Sequence, residues 1–461
     1  MFNIKQTELK LAYVMMSQQT TYALHSRYPL LHSPRQIFLL CPLPMINRGT
    51  SQQTTASFNR RIVLDVIRRM QPISRKDIVD EVNLSPQTVA NITQDLESVG
   101  LIVAKRVKDA KLRGQPPIVF EVNPKGGYSI GLSVEPGRIF AALVNMVGGI
   151  VARAEVAVAL RDKRACYQAM LGLVKELVSK SGTSEHIWGI GVALPGPLEP
   201  TDISYLGPTT LEQAFDLSLL DELSDACRLP VFCSVDSVAG ALGESLFGVA
   251  KAIPSFFYMH IGVGFGGSLV INRSVYRGAN NNATEIGHIP IVPGGKACYC
   301  GNQGCLERYL SLHSLTEALS EDDIPATLQA LSGNLKPAQQ QALHDWTAQA
   351  ALRLRDAICV IENMLDPGAI IIGGCLPSDL MQQLLTQAQP LHRSVRGGLQ
   401  QNEQRIIVSQ HRDDSALLGA AVLPIYEMIA PRMEVLQNER RHDPALQELM
   451  GQRSAKRVAR L

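Results

Sequence analysis

Three helical stretches closed by a pair of β-like runs, followed by a long alternation of strands and helices, predict an α/β protein led by a winged helix-turn-helix module. The 461 residues are enough for two or three domains. Hydrophobic residues make up 46% and charged residues 19%, as in an ordinary globular protein with a core that needs no staples. The net charge is only +2, so any nucleic-acid surface must be local. No apolar run reaches the roughly 18 residues of a membrane span. The apolar stretch Gln36 to Met45 is broken by Pro42 and Pro44 and lacks the basic region and cleavage pattern of a secretory signal. Membrane insertion is excluded on this reading, and a cytoplasmic protein is expected.

Residues 1–56 are rich in Ser, Gln, Thr and Pro without sustained periodicity, and read as a poorly ordered extension in which Met45 is a candidate start. Residues 57–124 change character. Phe58, Ile62, Val63, Val66 and Ile67 recur at helical spacing. Ser74 is placed to cap a short helix over Arg75 to Val82, and Asn83-Leu84 makes a turn. Ser85 then caps a third helix, Pro86 to Val99, with Pro at its first turn and Gly100 at its end. Val89, Ile92 and Leu96 form the inner stripe. The runs Leu101 to Val107 and Ile118 to Val122 complete the module as a hairpin, the wing.

Residues 125–430 alternate strands and helices. Strands are predicted over Tyr128 to Leu132, Ile139 to Val144, Ile150 to Ala159, Ile187 to Ala193, Val231 to Ser234, Phe256 to Ile261, Gly267 to Ile271 and Ala369 to Ile372. Helices are predicted over Tyr167 to Ser179, Ser237 to Phe247 and Gln339 to Met364. Residues 431–461 form a basic tail, with a final helix that frays from Asn438 onward.

A helix-turn-helix reads bases from the first turns of its second helix. Ser85, Gln87, Thr88, Asn91 and Gln94 occupy the cap and outward positions there. Asn and Gln pair with adenine through two hydrogen bonds, and Thr can touch a thymine methyl. That helix carries no Lys or Arg, so phosphate contacts must come from elsewhere. Arg60, Arg61, Arg68, Arg69, Arg75 and Lys76 lie on the preceding helices, and Lys105, Arg106, Lys108, Lys111 and Arg113 on the wing. Ser57 to Lys125 holds 12 basic and 8 acidic residues, a local excess of +4 suited to a double-stranded DNA backbone. Arg113-Gly114 at the wing tip suits a minor groove.

Of nine cysteines, six are scattered in apolar surroundings and read as small buried hydrophobes. The other three, Cys298, Cys300 and Cys305, follow His288 as His-x9-Cys-x-Cys-x4-Cys. A Cys3His set completes a tetrahedron and is the pattern of a structural zinc. With every position filled by protein, such a metal holds the loop rather than activating water. The loop in question carries Glu285 and Glu307 on its flanks.

The chain resembles the ROK family of repressors and sugar kinases from Ser57 to Tyr426. The resemblance is carried by Ile261-Gly262-Val263-Gly264-Phe265-Gly266-Gly267, by Gly278, by Glu285-Ile286-Gly287-His288 and by Cys298-Tyr299-Cys300-Gly301-Asn302-Gln303-Gly304-Cys305-Leu306-Glu307. Leu194-Pro195-Gly196-Pro197 and Ile370-Ile371-Ile372-Gly373-Gly374 fit two further family segments. The leading module, with its Asn123-Pro124 junction, is similar to the repressor branch that answers to N-acetylglucosamine and to glucose. The resemblance implies an actin-like, sugar-kinase-like fold of two lobes. It also implies a sugar site at Asp236, Glu285, His288 and Glu307, His288 serving the metal as well. Carboxylates and imidazole can fork to sugar hydroxyls.

Two departures bear on activity. Family kinases place Asp-x-Gly-Gly-Thr at the first strand turn, against ATP phosphates; here the chain reads Ser133-Val134-Glu135-Pro136-Gly137. Glu135 repels phosphate, Pro136 removes an N–H donor, and Val263 replaces a Thr in the second phosphate turn. In the sugar site, Glu-Asn-Asp has become Ser234-Val235-Asp236, and an Asn-rich stretch is replaced by Tyr205 to Thr210. The leading expectation is a non-enzymatic regulator, a repressor answering to a sugar or sugar phosphate and acting as a homodimer or homotetramer. The alternatives are an active hexose kinase and a regulator controlled by a protein partner.

Overall fold

The structure is a computed structural model that describes residues 38–39, 52–106, 117–135, 137–158, 162–181, 186–196, 218–333, 335–396, 405–410 and 415–431. All of them fall in one compact unit, Ile37–Leu461. Arg113, Lys108, Lys111, Pro136, Tyr205 to Thr210 and the tail beyond residue 431 lie outside the described residues.

A two-residue strand, β1 (Phe38–Leu39), joins the edge of the first large sheet. The leading module has three helices, α1 (Gln52–Met70), α2 (Arg75–Val82) and α3 (Pro86–Ser98). Its first helix begins before Ser57, the residue at which hydrophobic periodicity sets in. Three short antiparallel strands, β2 (Ile73–Ser74), β3 (Ile102–Arg106) and β4 (Ile118–Val122), form a sheet in the order β2-β4-β3. Local chemistry sets these boundaries. Ser74 Oγ accepts from the Asp77 amide at 3.3 Å, and Ser85 Oγ from the Thr88 amide at 3.1 Å. Asn83 (φ 52°) ends α2 in the left-handed region that Asn tolerates.

The first large sheet runs β1-β9-β8-β5-β6-β7. The hairpins β5 (Tyr128–Glu135), β6 (Arg138–Asn145) and β7 (Ile150–Ala157) are antiparallel; β8 (Ile187–Leu194) and β9 (Val231–Val235) are parallel to β5. Helices α4 (Lys163–Ser181) and α5 (Ser218–Cys227) pack on its apolar core. From β9 the chain turns directly into α6 (Asp236–Leu246). The second sheet, ordered β12-β11-β10-β13-β14, comprises β10 (Phe256–Ile261), β11 (Phe265–Ile271), β12 (Ser274–Val275), β13 (Ile370–Gly374) and β14 (Ile406–Val408). It packs with α7 (Leu312–Leu319), α8 (Ile324–Ser332), α9 (Pro337–Leu365) and α10 (Ser378–Gln387).

The last helix, α11 (Ser415–Ile429), is apolar and buried on nearly every face, as a helix set among other elements must be. It crosses α6 at very close range: a Cβ at Gly419 would lie 2.2 Å from the Ala239 carbonyl oxygen, so only glycine fits. One apolar cluster joins Val63, Leu64 and Ile67 of α1 to Leu242 and Leu246 of α6 and to Ile425, Tyr426 and Ile429 of α11. The leading module is therefore packed on the α/β body through a shared core rather than hung from a linker.

That packing corrects the expectation that Arg61 and Arg68 face DNA. Arg61 is 1% exposed and Arg68 8%, and both donate to carbonyls of the α/β body. Arg61, Leu64 and Arg68 fall at i, i+3 and i+7 along α1, with Ile67 beside them, so one face buries all four.

Candidate functional site

His288, Cys298, Cys300 and Cys305 converge, their ligand atoms all lying within 4.8 Å of one another. Cys300 Sγ is 3.7 Å from Cys305 Sγ, and Cys298 Sγ is 3.6 Å from His288 Nδ1. A tetrahedral metal with bonds of about 2.3 Å to sulfur needs edges of about 3.8 Å, so the four residues fit such an ion. The loop is built for this approach. Gly304 has φ 77°, and a Cβ there would lie 1.7 Å from the Val292 carbonyl oxygen. Burial lowers the pKa of the His288 imidazole, favouring the neutral form a metal binds, and raises those of the Cys298 and Cys305 thiols, which a bound cation would hold as thiolates.

The loop leads straight into Glu307, which is 5% exposed. Its Oε2 accepts from the Phe265 amide at 2.8 Å, and its Oε1 accepts from the Tyr299 hydroxyl. Tyr299 sits edge-on to His288, with centroids 6.2 Å apart, and so links the cysteine loop to the carboxylate. Glu285, before the short turn Ile286–His288, has no capping bond to its side chain. Burial, then the charge of Asp236, push its carboxyl up to about 7. Glu307 is likewise pushed up to about 7 by burial, against the Phe265 amide, with Glu285 and Asp236 adding to the rise. Asp236 opens α6; its Oδ1 accepts from the Ser237 amide at 2.6 Å, and its Oδ2 faces His260 Nε2 at 3.6 Å. The charge of Asp236 thus acts on both Glu285 and Glu307, the second of which follows directly on Cys305 and Leu306. His260 escaped the sequence reading because every residue of β10 is buried, leaving no alternation to mark a polar one. Its Nδ1 is buried and has no hydrogen-bond partner among the described residues.

The ROK family model matches residues 130–426, more than half of the chain. The chain belongs to the ROK family. Among ROK relatives, it is 29% identical over 389 residues to a putative xylose repressor of Caldicellulosiruptor sp. (strain Rt8B.4), covering 81% of this chain and 96% of the relative. It is 24% identical over 391 residues to the DNA-binding transcriptional repressor Mlc of Escherichia coli (strain K12), covering 79% and 92%. A solved ROK family transcriptional regulator, described as a homolog of the E. coli MLC protein, superposes with a TM-score of 0.63 at 24% identity, over 87% of this chain and 100% of that one. The shared fold is a sugar-kinase-like α/β architecture.

Glu135 ends β5, and Ser133 Oγ lies 3.4 Å from its Oε1. In the leading module, Ser85, Gln87, Asn91 and Gln94 are exposed along one face of α3, with Thr88 half-buried beside them. Gln87 Nε2 donates to Asn91 Oδ1 at 2.9 Å. Arg75, Lys76 and Arg106 are exposed. Arg75 is steadied from below, its guanidinium carbon 5.3 Å from the Phe120 ring centroid and its Nε donating to Thr93 Oγ1 at 3.3 Å. Arg69 and Arg60, by contrast, are paired with Asp65 and Asp95. Among the described residues no helix is long and apolar enough to cross a membrane.

Proposed function

We propose that this ROK protein is a cytoplasmic transcriptional repressor of sugar-transport or sugar-catabolism genes. Its leading module acts as a winged helix-turn-helix on double-stranded DNA, and its ROK body binds a sugar that changes operator affinity. The observation that carries the reading is the exposed polar face of α3, whose Gln87, Asn91 and Gln94 amides match adenine edges in a major groove. Ser85 and Thr88 stand at the helix start, and Arg75, Lys76, Arg106 and Arg113 supply phosphate contacts. The relatives named as repressors support the same reading. A homodimer or homotetramer would match a palindromic operator.

Asp236, Glu285, His288 and Glu307 are the sugar contacts. Three neighbouring carboxylates repel an anion, so the favoured effector is an uncharged sugar rather than a sugar phosphate. The metal is a structural zinc held by His288, Cys298, Cys300 and Cys305, and it fixes the loop that aims Glu307. Glu135 stands where a kinase would hold phosphates, so no phosphoryl transfer is expected. A coupled ADP-release assay with D-xylose and D-glucose should show no turnover. The main test is release of a selected operator duplex by these sugars. A complex indifferent to every uncharged sugar would move the control to a protein partner.

A further inference from the structure

We propose that Arg68 and Arg61 are positioning residues that fasten the helix carrying Asp236 to the DNA-reading module, so that a sugar at Asp236 is felt at the operator. The inference rests on the regulator reading and supplies its internal linkage.

Helix α6 is the connecting rod. Its first residue is Asp236, and the carbonyl oxygen of its last residue, Leu246, accepts from Arg68 Nη1 at 2.7 Å. Its 11 residues span about 16 Å. Carbonyls in a last helical turn lack intrahelical partners and carry partial negative charge, so a guanidinium is a strong cap there. Arg68 is itself fixed: Asp65 Oδ1 accepts from its Nη2 at 2.6 Å, while Asp65 Oδ2 accepts from Arg69 Nε at 2.9 Å. Burial alone would raise the Asp65 pKa, but the two guanidiniums outweigh it and hold the carboxyl below its ordinary value.

Two turns earlier on α1, Arg61 Nη1 donates to the Glu427 and Ala430 carbonyls at 2.8 and 3.1 Å, at the end of α11. One helix of the DNA-reading module therefore grips the C-terminal ends of both central helices. Those two helices are locked to each other: a Cβ on Gly243 would lie 3.3 Å from Gly419 Cα, and one on Gly419 would strike the Ala239 carbonyl. A close-packed pair of this kind shifts as a body rather than deforming.

A second segment lies within electrostatic reach of the same helix. Arg273, in the turn between β11 and β12, donates to the Lys251 carbonyl at 2.9 Å. Its pKa is lowered by burial and by Arg69 and Arg68, against the pull of Asp65 and Glu81 of the leading module. From Arg273 the chain runs through Gly278 to Glu285. Of the three carboxylates, Asp236 is thus joined to α1 by contact through α6, while Glu285 follows a turn whose Arg273 lies only in the electrostatic field of α1. A buried guanidinium stripped of its carbonyl would be left unsatisfied, so a shift of α6 must carry α1 with it.

The test is operator affinity with and without D-xylose or D-glucose, on a duplex selected from random DNA, for the full-length protein and for Arg68→Met, Arg68→Lys and Arg61→Met. Sugar affinity without DNA is measured by calorimetry in parallel. In the wild type the sugar should change operator affinity about tenfold or more. In Arg68→Met that response should fall to about twofold or less, with operator and sugar affinities each within about threefold of wild type. Arg68→Lys should recover part of the response, since an ammonium can still donate to Leu246. A merely structural role would lower the melting temperature and leave the response intact. A full sugar response in Arg68→Met and Arg61→Met, or in Arg68→Lys and Arg61→Met should Arg68→Met not fold, overturns the inference and spares the regulator reading. A wild type that binds DNA or sugar in no measurable way sinks both.

Discussion

Glu285→Gln should make the protein more stable and its sugar site worse. The Glu285 carboxyl moves from an ordinary 4.5 to about 7 on folding, through burial and then the charge of Asp236. Between those two values the folded state holds a proton that the unfolded state has released. Stability therefore falls as pH rises through that window, and the whole penalty is present above about pH 7. A shift of that size corresponds to about 3 kcal/mol for an isolated group. The Glu307 carboxyl lies within electrostatic reach of Glu285, so the two are not independent and removing one charge should recover about 2 kcal/mol. The assay is urea unfolding followed by fluorescence of Trp188 and Trp346, both buried, in β8 and α9. Near pH 8 the variant should gain about 2 kcal/mol over wild type, and near pH 5 close to nothing. The lost carboxylate should weaken sugar binding by about 10- to 100-fold, as expected for hydrogen bonds to a charged acceptor. An equal change in stability at the two pH values would refute the electrostatic argument.

Other consequences are equally open to measurement. Elemental analysis of protein purified without chelator should find one zinc per chain, and Cys305→Ser should lose it together with most sugar affinity; metal-free wild type that binds sugar normally would contradict the role given to the loop. Asn91→Ala should weaken binding to a selected operator by about 1–3 kcal/mol and relax its preference at one base pair. Lys76→Ala should weaken binding to all sequences alike and flatten the salt dependence, so a base-specific effect there would be inconsistent with a phosphate contact. Gly419→Ala drives a methyl group into the Ala239 backbone and should cost at least about 1–3 kcal/mol, read as a lower melting temperature; an unchanged melting temperature would mean that the two central helices separate freely.

Features that depend on short spacing were legible in the sequence. Ser74 and Ser85 cap the helices they precede, Pro86 opens α3, and Gly100 takes a φ of 73°. The convergence of His288 with three cysteines was readable for the same reason, since all four lie within one short glycine-bearing stretch. Arg61 and Arg68 were not readable. A basic side chain on a helix is ordinarily solvated, and the distant carbonyls of Leu246, Glu427 and Ala430, together with Asp65 beside Arg68, make burial tolerable. His260 was hidden by a strand covered on both faces. Tyr299 falls between two cysteines, where spacing gives it no partner, yet its hydroxyl meets Glu307. In each case the partner lies on another element, where periodicity and spacing carry no information.

The most direct test of the regulator reading is capture of duplexes from a random DNA library by the purified protein, repeated with D-xylose and with D-glucose. The account predicts a narrow set of palindromic sites with adenine at conserved half-site positions, released by an uncharged sugar. Failure to enrich any sequence, at salt low enough to favour phosphate contacts, would contradict it.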